Sequence, residues 1–77
     1  MDLFKIESLN EKIRKKTATT AEKDEYMFML YQNNSITHPM YERYLKDKNE
    51  PDLISAAITI GGIILLGFIL KTVSLKN

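Results

Sequence analysis

LISAAITIGGIILLGFIL, residues 53–70, decides how this chain is arranged: eighteen consecutive residues without a charge, Asn, Gln, His or Pro. Glu50 and Asp52 precede the run and Lys71 follows it. As an α-helix rising about 1.5 Å per residue it covers about 27 Å, close to the hydrocarbon thickness of a bilayer. Eleven of the eighteen are Leu, Ile or Phe. At roughly −0.3 to −0.6 kcal/mol each, they favour insertion by several kcal/mol before Gly, Ser and Thr offset part of it. The run is therefore expected to be a transmembrane helix over 53–71, with a short tail at 72–77.

Working outward, the 52 residues ahead of the run can form at most one small domain, whose core is marginal at that size. The 77-residue chain has no cysteine, so it has neither disulfide staple nor thiolate chemistry. With one histidine, His38, a zinc or iron site would need carboxylates almost throughout. A net charge of +1 argues against nucleic-acid binding. The start, MDLFKIESL, lacks the basic, apolar and small-residue regions of a signal peptide. An apolar run so near the end of the chain has the layout of a tail anchor. Arg43, Lys46 and Lys48 before the run against Lys71 and Lys76 after it vote narrowly for a cytoplasmic (or matrix or stromal) N-terminal side. A charged head is also costly to translocate.

The head reads as two to three helices, over about 3–16, 20–33 and 38–47, joined to the membrane helix by a polar hinge at 49–52. In the first helix Ile6, Leu9 and Ile13 share one face, and Glu7, Asn10, Glu11, Arg14 and Lys15 form the far side. Thr19 and Glu22 have capping-box spacing, and Asn33-Asn34 suits a left-handed stop. Thr37 can cap the third helix, with Pro39 in its first turn and Met40, Tyr41, Tyr44 and Leu45 as its apolar stripe. Pro51 is well placed in the first turn of the membrane helix. The fold class is thus all-α, a small helical head followed by a single C-terminal transmembrane helix.

The stretch from Leu30 to Tyr44, with Ile36-Thr37 followed by Tyr41, resembles the helical hairpin of SHOCT-type short domains. Asn33-Asn34 stands where those domains carry glycine, and His38-Pro39-Met40 where they carry acidic residues. The resemblance implies a small interaction module rather than an activity.

Two surfaces are expected to carry contacts. Tyr26, Met27, Phe28, Met29, Leu30 and Tyr31 are apolar or amphipathic all round their helix. They read either as a central core helix or, with Met40, Tyr41, Tyr44 and Leu45, as a soluble face for a protein partner. In the membrane helix, Ser55, Thr59 and Gly62 make a small, weakly polar stripe, and Ala57 and Gly61 a small-xxx-small pair, both suited to helix–helix contact. His38 is read as a turn residue, with pH sensing the less favoured alternative. No catalytic set, phosphate-binding loop or metal-ligand spacing is present, so no enzymatic activity and no cofactor are expected. The partners expected are the lipid bilayer, a protein in a membrane complex and a second copy of the chain.

The function expected is that of an accessory, assembly or regulatory subunit, or an adaptor, at a membrane. The alternative is a small self-associating membrane-active protein of holin-like, toxin or bacteriocin-immunity type. A soluble protein that buries its C-terminal helix stands third.

Overall fold

The structure is a computed structural model that describes the backbone of residues 2–75 and the side chains of residues 2–68. Within these limits the chain is all-helical, with four helices and no strand. Asp2 caps the first helix, α1 (Leu3–Arg14), its carboxylate accepting from the Lys5 amide at 3.1 Å. α1 stops earlier than the expected residue 16. Lys16 adopts φ 61°, and the Thr17 amide reaches back to the Lys12 carbonyl at 2.9 Å, closing the helix as a left-handed residue at this position does.

Thr19 and Glu22 form the capping box that opens α2 (Thr20–Gln32): the Glu22 amide donates to Thr19 Oγ1 and the Thr19 amide to Glu22 Oε1. The same left-handed device ends α2, with Asn34 at φ 58° and the Ser35 amide bonded to the Leu30 carbonyl at 2.9 Å. Asparagine tolerates that conformation better than most residues with a side chain. Thr37 caps α3 (His38–Lys46), accepting from the Met40 amide, and Pro39 lies in its first turn. The last helix, α4, runs over Pro51–Leu75. It starts two residues before the expected 53, because Pro51 cannot donate a backbone bond and fits a first turn. The expected tail at 72–77 lies in α4 as far as Leu75, and its last two residues lie outside the described residues.

α1 is central: it packs against both α2 and α4, and α3 packs on α2. The core comprises Ile6, Leu9 and Ile13 from α1, Tyr26, Met27 and Leu30 from α2, Ile36, Tyr44 from α3, and Leu53 and Ala57 from α4. One face of the first half of the apolar run, carried by Leu53 and Ala57, is therefore part of the head's interior. The connector expected as a hinge is tied to the head. Lys23 Nζ donates to Asn49 Oδ1 at 2.8 Å and reaches the Lys48 carbonyl, Arg43 pairs with Glu50, and the Asn49 amide bonds Asp47.

One placement in α1 is corrected. Asn10 does not belong to the solvated far side but lies half-buried between α2 and α4, donating to Tyr26 Oη and to the Ile58 carbonyl, both at 2.9 Å.

Candidate interaction surfaces

The ten residues expected to form a soluble face divide by burial. Tyr26, Met27, Leu30 and Tyr44 are core residues. Met29, Tyr31, Met40 and Tyr41 are half-buried against that core. Tyr31 and Tyr41 stack with ring centroids 4.6 Å apart and planes 5° from parallel, and Phe28 lies 6.4 Å from Tyr41. Most of this amphipathic material thus joins α2 to α3, leaving Phe28 (46% exposed) and Leu45 (51%) outward. Leu45 lies one turn beyond Tyr41, so the two continue a single strip along α3.

Asp24 fixes the other end of α3. Tyr44 Oη donates to Asp24 Oδ1 at 2.6 Å and Lys48 Nζ pairs with Oδ2 at 3.1 Å. The Tyr44 hydroxyl and then the Lys48 ammonium hold the Asp24 carboxyl below the ordinary value. Burial, followed by the neighbouring Asp24, pushes the Tyr44 hydroxyl up. Near the start of α2, the Lys12 ammonium and the Thr19 amide lower Glu22 to about 2.

The five residues expected to carry membrane-helix contact fall on two sides of α4. Ala57 and Gly61 are buried against the head, with Leu53 one turn before them. Gly61 is needed there: a Cβ at this position would lie 1.8 Å from Tyr26 Oη. Tyr26 Oη in turn donates to the Ala57 carbonyl at 2.8 Å. Burial pushes the Tyr26 hydroxyl above its ordinary pKa. Ser55, Thr59 and Gly62 face outward, and Thr59 Oγ1 bonds the Ser55 carbonyl of its own helix at 3.0 Å. Beyond Gly61, Ile63 is 63% and Leu66 56% exposed.

Burying a leucine is worth about 1.5–3 kcal/mol whether protein or lipid covers it. Hydrophobicity alone thus does not choose between head and bilayer for the first half of α4. What the head adds to apolar burial is polar: the hydrogen bonds of Tyr26 and Asn10 to the α4 carbonyls. Sequence reading missed both, although a tyrosine amid an apolar block must find a partner for its hydroxyl when buried.

Tyr31 Oη lies 2.9 Å from His38 Nδ1, and His38 Nε2 lies 3.0 Å from Glu42. The set is on the open surface, where such pairs contribute little. One depression, ≈ 390 Å³, is lined by Ile13, Lys16, Ala18, Lys23, Asn49, Pro51 and Ile54, a lining without carboxylate, histidine or hydroxyl. Among the described residues, no three His, Asp or Glu side chains come close enough to hold a metal ion.

No family model, curated protein or solved structure matches the chain. Among the described residues, one helix is long and apolar enough to cross a membrane: the window Pro51–Phe68 has a mean hydropathy of 1.8, and 17% of it is buried within the protein.

Proposed function

We propose that this chain is a non-enzymatic, single-pass membrane protein anchored through α4. Its helical head faces the cytoplasm or an equivalent compartment and serves as an accessory, assembly or regulatory subunit of a larger membrane complex. The observation that carries the reading is the Pro51–Phe68 window, whose mean hydropathy is 1.8 with Asp52 its one charge and of which 17% is buried within the protein. In water such a surface is an association site in search of lipid or protein. Phe28 and the Tyr41–Leu45 strip are the head's contribution to a soluble contact.

Carbonate washing of membranes, followed by flotation, tests the reading. The full chain should stay with the membrane and float, and extraction without detergent would overturn it. A second reading, a self-associating membrane-active protein, is favoured by the outward Ser55, Thr59 and Gly62 stripe, where Gly62 has no atom within 4 Å of an added Cβ. Such small residues let membrane helices approach closely. Purification in mild detergent separates the two: a distinct larger partner supports the subunit reading, and homo-oligomers that collapse a membrane potential support the second.

A further inference from the structure

With the head docked, α4 cannot cross a bilayer. Leu53, Ala57 and Gly61 are covered by the head, and α1 lies along them with Lys5, Glu7, Lys12, Arg14 and Lys15 exposed. Drawing residues 53–61 into hydrocarbon would draw in those charges, which hydrocarbon excludes. Ile64 and Leu65 still pack partly against the core, so the part of the run wholly beyond the docked face, residues 66–70, is about 7–8 Å long. The hydrocarbon layer is about 30 Å thick. The helix is long enough to span only if the head lets go of its first half.

We propose that the head and the bilayer compete for the Leu53, Ala57 and Gly61 face of α4, so that the chain has a docked state and a spanning state that exclude one another. The proposal rests on the membrane reading above. In the docked state only the far end of α4 enters the near leaflet. In the spanning state the whole run is in lipid, and the released head, which lacks Leu53 and Ala57, depends on its partner for stability.

The latch is polar and lies on the head. Tyr26 Oη donates to the Ala57 carbonyl and Asn10 Nδ2 to the Ile58 carbonyl, while Asn10 also donates to Tyr26 Oη. Both carbonyls lie inside α4, where the amide four residues on also bonds them. Release therefore leaves α4 internally satisfied, as a helix in lipid must be, and the groups that lose partners, Tyr26 and Asn10, return to water. Small residues at 57 and 61 permit the close approach, and they are equally at home in a membrane helix.

Gly61 and Gly62 allow the two sites of contact to be separated. They are neighbours at nearly the same depth of the run, but a side chain at 61 collides with Tyr26 and one at 62 meets nothing within 4 Å. The full chain, with a C-terminal epitope, is reconstituted into vesicles of phosphatidylcholine and phosphatidylglycerol. Flotation is measured, and so is the fraction of epitope protected from external protease. Gly61→Leu should raise that fraction several-fold over Gly62→Leu, although both add the same apolar side chain. Tyr26→Phe, which leaves α4 unaltered, should raise it over the wild type and carries the test should Gly61→Leu disturb the head. Equal protection in Gly61→Leu and Gly62→Leu, or a Tyr26→Phe variant indistinguishable from the wild type, overturns the competition while flotation leaves the anchor standing. Failure of every variant and the wild type to float overturns the anchor, and the competition with it.

Discussion

The Tyr26 hydroxyl occupies the space a side chain at position 61 would need: an added Cβ would stand 1.8 Å from it. That relationship makes Gly61 part of the head's packing and not only of the apolar run. Gly61→Ala should lower the stability of the folded head by up to about 2 kcal/mol, the overpacking penalty less the gain of about 1 kcal/mol that alanine brings to a helix. Gly62→Ala, in open space, should do the reverse and stabilise by up to about 1 kcal/mol. Denaturant titration of both variants in mild detergent reads the opposite signs.

Tyr44 and Asp24 make a second polar tie, between α3 and α2. Tyr44→Phe takes from the Asp24 carboxylate its 2.6 Å hydrogen bond and should cost about 1.5–3 kcal/mol, the worth of a hydrogen bond to a charged group. The buried hydroxyls also set the alkaline limit. Tyr26 and Tyr44 both titrate above the ordinary value of 10.0. The folded state thus holds protons that the unfolded state has lost, and the stability they contribute is present below pH 10 and declines as pH rises beyond it. Thermal melts between neutral pH and pH 11 should show that decline, weakened in Tyr44→Phe.

Glu22 sets the sign at the acid end. Its carboxyl falls from 4.5 to about 2 in the folded chain, through the Lys12 ammonium first and the Thr19 amide next. The unfolded state binds the proton more readily, so the contribution is present above pH 4.5 and is lost as pH falls toward 2. Glu22→Gln should flatten the melting temperature over that interval. Thr19→Ala removes the other half of the capping box and should cost about 1 kcal/mol at neutral pH.

A chain ending at residue 52 should not fold. It would leave Ile6, Leu9, Ile13 and Tyr26 without the Leu53 and Ala57 that help close their core, and three short helices bury too little to stand alone. Circular dichroism of residues 1–52 should show low helicity and no cooperative melt, whereas the full chain should give both.

Caps were the part of the fold most legible in the sequence, because each rests on chemistry within a few residues. Thr19 with Glu22, Thr37 with Pro39, and Asn33-Asn34 all stand at helix boundaries. The docking of α4 was not legible. Nearly every face of residues 53–70 is apolar, so periodicity carries no phase to show which side meets protein. Ala57 and Gly61 fit a membrane neighbour as well as a tyrosine of the same chain. Asn10 sits between Leu9 and Glu11, and its neighbours drew it to the solvated side. Its bond to the Ile58 carbonyl, 48 residues on, leaves no local trace. The amphipathic block at 26–31 fitted two readings, and burial assigns Tyr26, Met27 and Leu30 to the core while Phe28 stays exposed.

α4 packs one face on the head and leaves the rest of its apolar surface, Leu66 included, open to the membrane. Because the chain has no cysteine, single cysteines report each surface separately: Ala57→Cys on the covered face and Leu66→Cys on the exposed one. Labelling with a water-soluble maleimide, with and without lipid vesicles, is the most direct measurement. Without vesicles, position 66 should react at least about tenfold faster than position 57, as exposed and buried thiols do. Addition of vesicles should shield position 66. Equal labelling of the two positions in water, or a position 66 that vesicles leave fully reactive, would contradict the account.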